Sequence, residues 1–249
     1  MIGDKKVIVM MPAYNTASTI AKTYYDIPKE AVDEIILVND GSSDDTPQVA
    51  ESLGISVVAH EVNRGYGAAQ KTGYAEALKR GADIVVMVHS DYQYDPTILM
   101  ELVQPIASDE ADMVTGTRIV GGSAVKEGMP LWKYVPNRIL TKMENLFFGT
   151  NISDYHNGYR AYSREALEAI PFLRFSDKFD FDSEMLLHGA IRGFRIAEVP
   201  HPARYSAENS QMTFPQGVVY GLKILRLIST FQLARMGILR GDIFSVNNG

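Results

Sequence analysis

Three side chains that can bind a metal ion occupy alternate positions in residues 89–93, directly after an apolar run. They are His89, Asp91 and Gln93. In an extended backbone every second residue points to the same side, so an imidazole, a carboxylate and an amide oxygen would converge just past a strand end. Such a donor set suits a divalent metal ion. A polar loop that ends a strand, with Asp95 starting the next helix, explains the same pattern.

The bulk composition excludes several functional classes. The chain has 249 residues, of which 46% are hydrophobic and 22% charged, which suits an α/β domain with a substantial core. The net charge is -6 without long blocks of one sign, so we expect no nucleic-acid partner. The absence of cysteine excludes disulfides and thiolate chemistry and fits a cytoplasmic location. We expect neither a signal peptide nor a membrane-spanning helix.

Apolar runs that alternate with helical patterns must position these side chains. This order predicts an α/β fold with a doubly wound, mainly parallel twisted sheet flanked by helices. Ligands of such sheets bind outside the carboxyl ends of the strands, and polar clusters follow the first, second and fourth runs. The five buried strands are predicted at residues 5–11, 34–38, 55–59, 82–88 and 113–118.

The pattern changes after residue 118, but no linker or repeat separates the two halves. We therefore expect a single domain over residues 1–214, followed by a C-terminal helix and tail at 215–249. Helices are predicted at residues 137–148, 163–170 and 181–192, and strands within residues 154–162 and 194–199.

The last predicted helix, residues 215–236, is apolar around most of its circumference. Lys223, Arg226 and Thr230 fall on one stripe at three- and four-residue spacing. Packing on the domain or in a homo-oligomer explains this composition. An interfacial helix, with its apolar side in a membrane and its basic residues towards head groups, explains it as well.

Five segments, in matching order and spacing, resemble the family 2 glycosyltransferases, the inverting group with a GT-A fold. They are Pro12-Ala13-Tyr14-Asn15, residues 38–46 (VNDGSSDDT), Asn63-Arg64-Gly65, residues 91–96 (DYQYDP) and Gly116-Thr117-Arg118. The resemblance covers roughly residues 5 to 205. Residues 154–162 and Val199-Pro200 are similar to the polyprenyl-phosphate (dolichyl-phosphate) sugar synthase branch.

The resemblance implies a UDP- or GDP-linked sugar donor, bound by residues 1–118, and an acceptor bound by residues 119–214. It also implies a divalent cation, Mg²⁺ or Mn²⁺, with Asp91 as principal ligand and Gln93 as a further one. His89 stands where the family usually has the first acid of its motif. Its imidazole would ligate Mn²⁺ in preference to Mg²⁺, contact the donor, or only form hydrogen bonds at the strand end.

The resemblance places the donor among residues of several loops. Asp40 would accept a hydrogen bond from a ring N–H of uracil or guanine, and Arg64 would meet the donor at a helix N-terminus. Asp44 is equally well explained as a helix cap. The implied donor-binding set is Pro12, Ala13, Tyr14, Asn15, Asp40, Arg64, Gly65, Ser90 and Asp91.

On the acceptor side, the resemblance makes Arg118 the candidate for a bidentate grip on a phosphate. Asp182 or Glu184 matches the place of a general base in relatives that act on hydroxyl groups. A phosphate acceptor is already ionised and needs no base, so these acids would then only cap a helix. The further acceptor candidates, each equally explained as a salt-bridged surface arginine, are Arg138, Arg160 and Arg204.

Together these features predict an inverting glycosyltransferase that moves a hexose to polyprenyl phosphate, with peripheral contact to the inner face of the plasma membrane. Transfer to a sugar hydroxyl in surface-polysaccharide or glycolipid assembly is the alternative within the same class. A nucleotide-sugar-binding module without turnover is the rival from another class, because His89 replaces an acid. A nucleotidyltransferase ranks last, since no glycine- and lysine-rich phosphate loop follows the first strand.

Overall fold

The computed structural model describes residues 2–120, 124–202, 213–239 and Phe244. Within these residues the chain forms a seven-stranded sheet and eight α-helices. The strands are β1 (Val7–Ala13), β2 (Glu34–Asn39), β3 (Ser56–Ala59), β4 (Ile84–Met87), β5 (Met113–Thr117), β6 (Arg160–Ser163) and β7 (Ile196–Pro200). The helices are α1 (Ile20–Asp26), α2 (Thr46–Ser52), α3 (Tyr66–Lys79), α4 (Leu99–Ala107), α5 (Leu131–Phe148), α6 (Arg164–Ala169), α7 (Phe181–Ile191) and α8 (Phe214–Arg235).

The strand order in the sheet is β3-β2-β1-β4-β6-β5-β7. Every pairing is parallel except those of β6, which runs antiparallel to both β4 and β5. All residues of β4 and nearly all of β1 are buried, because helices cover both faces of the sheet. The predicted α/β fold with a mainly parallel sheet is thus confirmed.

The reversed direction of β6 determines which loops reach the functional edge of the sheet. The parallel strands β1, β2, β4 and β5 end at this edge, whereas β6 begins there, at Arg160. Residues 154–159, which precede β6, therefore lie beside the loops that follow the parallel strands. Local sequence patterns did not predict this arrangement.

Two helices beyond the sheet form an apolar surface. Ile224 and Ile228 of α8 are buried in the core, and α8 contacts α5. α5 begins at Leu131, six residues before its predicted start, and contains Pro136. Exposed apolar side chains remain on both helices, namely Leu131, Trp132, Val135, Ile139, Phe214, Val218, Val219, Leu222 and Leu225.

On length and composition, α8 would suffice to cross a membrane, which the sequence reading did not anticipate. It is the only such helix in the described part of the chain. Helices of this length and composition also pack on soluble proteins, so the observation by itself assigns no membrane topology.

Candidate active site

The backbone of residues 89–93 turns instead of continuing the direction of β4. β4 ends at Met87, and Tyr92 adopts a left-handed conformation with φ of 58°. Oδ1 of Asp91 accepts a hydrogen bond from the backbone N–H of Gln93 at 3.0 Å. The expected alternation of ligands along an extended backbone is therefore wrong for this stretch, because the chain changes direction between the candidates.

His89 is held in a tight slot. Its Nε2 lies 3.0 Å from the hydroxyl of Tyr66, and its ring meets Tyr94 edge-to-face with centroids 4.8 Å apart. A Cβ atom on Gly158 would lie 2.4 Å from Nε2, so only glycine permits this position. Burial lowers the pKa of His89, although Asp91 opposes the shift. In this conformation Nε2 is engaged by Tyr66, which leaves Asp91 as the principal candidate for a metal ligand.

Asp182 is linked to His89 through Tyr66. Its Oδ2 accepts a hydrogen bond from the Tyr66 hydroxyl at 3.2 Å, and its Oδ1 accepts one from Gln70 Nε2 at 2.9 Å. The Nε of Arg160 lies 3.9 Å from Oδ1. Burial raises the pKa of Asp182, although the charge of Arg160 opposes this. Asp182 is thus a buried acid with a raised pKa, held in one orientation near the functional edge of the sheet.

Glu184, the other candidate base, lies apart from Asp182. Its Oε2 accepts a hydrogen bond from the backbone N–H of Ser176 at 2.7 Å. Burial raises the pKa of Glu184 to about 7, but the side chain does not line the cavity described below. The structure therefore connects Asp182, and not Glu184, with the other candidate residues.

Asp40 is buried at the end of β2 and holds the start of α3. Its carboxylate accepts hydrogen bonds from the backbone N–H groups of Arg64 at 2.9 Å and Gly65 at 2.8 Å. Oδ1 also lies 2.7 Å from Nδ1 of His60, a partner that sequence reasoning missed. Gly65 has φ of 114°, which explains glycine at this turn. Asp40 therefore shapes the predicted donor loop even before any base is bound.

Side-chain hydrogen bonds connect the loop after β4 with the end of β1, and the loop after β1 with the loop after β2. Ser90 Oγ donates to the carbonyl of Pro12 at 2.8 Å, and Asn15 Oδ1 accepts from the backbone N–H of Ser43 at 2.8 Å. Tyr14 stays half exposed at this edge. The structure thus brings the predicted donor residues to one side of the sheet.

Asp44 has a structural role at the turn that leads into α2, although the N-cap residue of this helix is Asp45. One of its carboxylate oxygens accepts from the backbone N–H of Ala17 at 3.1 Å, and the other accepts from Thr46 at 3.1 Å. These contacts fasten the loop after β1 to the start of α2.

Arg118 lies at the end of β5 with its guanidinium held by Asp154. Nε and Nη2 lie 2.8 and 3.0 Å from the two carboxylate oxygens. Nη2 also donates to the carbonyl of His156 at 2.7 Å, and Asn137 Nδ2 donates to Asp154 at 3.0 Å. Burial alone would raise the pKa of Asp154, but the charge and hydrogen bonds of Arg118 hold it well below its usual range.

The other arginine candidates do not join Arg118. Arg160 is completely buried and donates to the carbonyls of Tyr155 and Asn157; a guanidinium without exposed surface argues against the predicted direct contact with an acceptor. Arg138 donates to the carbonyl of Ser153 and does not line the cavity. The position of Arg204 falls outside the described residues.

A cavity of about 500 Å³ connects the polar edge of the sheet with the groove between α5 and α8. Two cationic side chains, Arg118 and Lys133, line this cavity. Lys133 was not among the residues predicted from the sequence. The other polar lining residues include His89, Gln93, Asn137, His156 and Asp182. The apolar walls include Met129, Trp132, Ile139, Leu140, Phe214, Val218, Leu222 and Leu225.

The family model described as "Glycosyl transferase family 2" matches residues 8–171. This chain belongs to glycosyl transferase family 2. The matched residues include nearly all of β1, the whole of β2 to β6 and the polar loops after β1, β2, β4 and β5, so the family assignment and the geometry concern the same surface. The sequence resemblance on which the GT-A prediction rests is confirmed.

Relatives within the glycosyltransferase family extend over nearly the whole chain. The UDP-N-acetylglucosamine–dolichyl-phosphate N-acetylglucosaminyltransferase of Methanococcus voltae is 29% identical over 94% of this chain and 99% of its own. The dolichyl-phosphate hexose transferase of Haloferax volcanii is 31% identical over 88% of this chain and 92% of its own. These names confirm the similarity to the polyprenyl-phosphate sugar synthase branch.

A solved structure shares the fold of this glycosyltransferase. The glucosyl-3-phosphoglycerate synthase of Mycobacterium tuberculosis, crystallised with Mn²⁺, UDP and phosphoglyceric acid, superposes with a TM-score of 0.72. The two proteins are 23% identical, and the match covers 97% of this chain and 84% of the other. At this identity the comparison establishes the shared architecture.

The candidate metal site does not have a full set of protein ligands among the described residues. The described residues contain no group of three or more His, Cys, Asp or Glu side chains that could hold a metal ion. Mg²⁺ is commonly bound through one or two carboxylates, with substrate phosphates as further ligands. The carboxylate of Asp91 next to Gln93 fits such a shared site and does not fit one built from protein ligands alone.

Proposed function

We propose that this protein is an inverting, metal-dependent glycosyltransferase that moves a hexose from a UDP- or GDP-linked donor to polyprenyl phosphate. One observation carries the proposal: a continuous cavity joins Arg118, at the functional edge of the sheet, with the apolar groove between α5 and α8. A lipid phosphate has the same two-part character, with an anionic head and an apolar chain. The names of the full-length relatives support this acceptor class.

The acceptor phosphate would lie between Arg118 and Lys133. Asp154 and the His156 carbonyl take up the Nε and Nη2 donors of Arg118, which fixes the position of the guanidinium and of its positive charge beside the proposed phosphate. Burial lowers the pKa of Lys133, and the nearby charge of Arg118 lowers it further. An anion between these two cations would relieve their repulsion, so the site favours a phosphate over a neutral acceptor.

The polyprenyl chain would occupy the apolar groove, which opens between exposed side chains such as Val218 and Leu222. An apolar helix face of this kind binds at the interface of a bilayer. We therefore propose that the protein works at the cytoplasmic face of the membrane, where α8 contacts the lipid from which the acceptor enters.

The donor would lie across the loops that follow β1, β2 and β4, where Tyr14 and Arg64 are exposed and Asp40 fixes the backbone. Asp91 and Gln93 would hold the divalent cation against the donor diphosphate. When bound, such a cation neutralises charge on the leaving group. With the donor bound in this way, the anomeric carbon would lie between the donor loops and the polar end of the cavity.

The acceptor phosphate oxygen would attack the anomeric carbon from the side opposite the leaving nucleoside diphosphate, which inverts the configuration. The attacking phosphate is ionised near neutral pH and needs no general base. Arg118 binds and orients it, and the apolar walls exclude water that would otherwise hydrolyse the donor. Asp182, with both oxygens hydrogen-bonded, would orient Tyr66 and His89 rather than remove a proton.

Transfer to a sugar hydroxyl is favoured by one feature. Asp182 lines the cavity and has a raised pKa, both of which suit a general base that accepts a hydroxyl proton. This alternative leaves the apolar groove and the second cation, Lys133, without a role, so we rank it second.

The decisive test measures transfer of labelled hexose from a panel of UDP and GDP sugars. The full-length protein is incubated with polyprenyl phosphate in liposomes and with Mn²⁺ or Mg²⁺, and the lipid is then extracted. We expect labelled hexose in the lipid extract, and we expect EDTA to abolish this labelling because it removes the metal ion. Label only in an added oligosaccharide would support the hydroxyl alternative. Donor binding without transfer to either acceptor would support the non-catalytic module.

A further inference from the structure

Glu144 of α5 is a buried acid with few polar neighbours. Its side chain has no exposed surface, its carboxylate oxygens accept no well-aligned hydrogen bond within the described residues, and the Ser183 hydroxyl lies close enough to lower its pKa. Oε2 lies 3.3 Å from Nε2 of His156, a nitrogen that also makes no hydrogen bond in that part of the chain. The two atoms are close but not aligned for a hydrogen bond; because an ionised carboxylate is costly to bury, a small rotation that places a proton between them would satisfy both.

The other ring nitrogen of His156 contacts a side chain that lines the cavity. Nδ1 of His156 lies 2.6 Å from the hydroxyl of Tyr220 on α8. His156 and Tyr220 both line the cavity, whereas Glu144 lies behind them in the core. The backbone carbonyl of His156 accepts the hydrogen bond from Arg118 at 2.7 Å. A line of three side chains thus runs from the buried acid to the surroundings of the Arg118 guanidinium.

We propose that Glu144, His156 and Tyr220 form an ordered hydrogen-bond chain that makes the Tyr220 hydroxyl a second donor for the anionic group bound by Arg118. The inference rests on the proposed function, because it assigns a further group to the acceptor phosphate. It makes Tyr220 a binding residue, and it makes His156 and Glu144 positioning residues.

The direction of the chain depends on a single proton. When Glu144 is protonated, it donates to Nε2 of His156, Nδ1–H donates to the Tyr220 oxygen, and the Tyr220 O–H can donate into the cavity. When Glu144 is ionised, Nε2–H donates to it, Nδ1 becomes an acceptor, and the Tyr220 O–H points inwards. Ser183 Oγ, 3.5 Å from the Tyr220 hydroxyl, is the competing partner for that proton.

The electrostatic surroundings favour the first arrangement near neutral pH. Burial raises the pKa of Glu144 to about 8, although Ser183 opposes the shift. Burial lowers the pKa of His156 to about 4 and raises that of Tyr220, so the imidazole is neutral and the phenol keeps its proton. The other charged groups that face the chain are Asp154, Asp182, Arg118 and Arg160.

The kinetic test compares two variants. Tyr220→Phe removes only the hydroxyl, and we expect the KM for polyprenyl phosphate at pH 7 to rise roughly tenfold, as for loss of a hydrogen bond to a charged group, with the donor KM unchanged. Ser229→Ala, which removes an exposed hydroxyl from the same helix, is the matched control. An unchanged acceptor KM in Tyr220→Phe would overturn the proposal.

The pH profile separates this role from a merely structural one. In the wild type, acceptor affinity should fall as the pH rises through about 8, the pKa of Glu144. In Glu144→Gln this component of the fall should disappear, because the amide N–H donates to Nε2 at every pH. Any decline caused by Lys133 would persist in both proteins. Identical profiles for the wild type and Glu144→Gln would contradict the chain.

A spectroscopic measurement, independent of activity, decides whether the hydrogen-bond chain exists. The protein has five histidines. Their ¹⁵N shifts, with the signal of His156 assigned by comparison with His156→Gln, report the tautomer of His156. We expect the Nδ1–H tautomer at pH 7 and the Nε2–H tautomer above about pH 8. An imidazolium or Nε2–H form at pH 7 would overturn the proposal. If the wild type bound no polyprenyl phosphate, the proposed function and the donor role would both fail, while the tautomer would still report on the chain.

Discussion

The carboxylate of Asp154 contacts the guanidinium of Arg118 at two points, 2.8 Å from Nε and 3.0 Å from Nη2. Both side chains are buried, yet Arg118 still lines the cavity. A buried ion pair is poor evidence for stabilisation, because desolvation of the charges offsets much of their attraction. The pair is better explained by orientation, since it fixes the plane in which the arginine meets a ligand.

Asp154→Asn should therefore affect both stability and acceptor binding. Removal of one partner leaves a buried charge uncompensated, so we expect a loss of about 3–5 kcal/mol in the free energy of unfolding. In protein that remains folded, the acceptor KM should rise at least about tenfold while the donor KM stays constant. Denaturant titration and steady-state kinetics measure the two effects. Asp109→Asn, in an exposed ion pair with Arg195, should change stability little.

The same contact predicts a pH dependence of stability. The pKa of Asp154 is lower in the folded protein than in the unfolded chain, so its stabilising contribution is complete above about pH 4 and is lost as the pH falls. The free energy of unfolding of the wild type should fall more steeply below pH 4 than that of Asp154→Asn. Parallel acid titration curves would contradict this assignment.

Asp91 and Asp44 should separate metal-dependent binding from loop structure. Asp91→Ala removes the principal candidate ligand and should abolish the increase in donor affinity that Mn²⁺ produces, as measured by calorimetry. Asp44→Ala removes contacts with Ala17 and Thr46 and should mainly lower the melting temperature. Unchanged donor affinity in Asp91→Ala at saturating metal would count against the proposed donor site.

Two glycines provide a matched test of the His89 slot. A Cβ atom on Gly158 would lie 2.4 Å from His89 Nε2 and 2.7 Å from the Tyr66 hydroxyl, so Gly158→Ala must displace one of them. We expect it to reduce transfer at least about tenfold, because small displacements at a catalytic site are costly. Gly221→Ala, in α8 with its nearest neighbour 3.8 Å away, should fold as well as the wild type or slightly better. Wild-type activity in Gly158→Ala would show that the slot does not matter for catalysis.

Negative charges on the exposed face of α8 should weaken membrane binding. Val218 and Leu222 are 50% and 61% exposed, so Val218→Glu and Leu222→Glu should preserve the fold and reduce flotation with anionic liposomes. Val62→Glu, at a residue 68% exposed in the loop before α3, is the control. If the wild type and all three variants stay equally in the soluble fraction, the interfacial role of α8 is wrong.

The sequence predicted the parallel part of the sheet well because β1, β2 and β4 are continuous apolar runs that the sheet buries on both faces. It did not predict that β6 lies between β4 and β5, since this pairing joins residues 84–87 with residues 160–163 and leaves no local signal. Strand pairing over such separations is decided by tertiary packing.

The sequence indicated site candidates where a motif stays within one loop, as at Asp40 and Asp91, and their roles stay predictions. His60 and Lys133 were missed because Asp40 and Arg118, which lie near them in space, are distant from them in sequence. The turn at Tyr92 was missed because a left-handed tyrosine has no compositional signal. Motifs thus indicated the residues, whereas the structure supplied their directions.

The antiparallel course of β6 has a further consequence for how this enzyme family diversifies. Residues 154–159, which contact Arg118, lead into β6 and do not continue any of the strands β1, β2 or β4. Under the proposed function, substitutions there would alter acceptor contacts while β1, β2 and β4 stay in place. Gly158 is the exception, because it packs against His89 in the loop after β4.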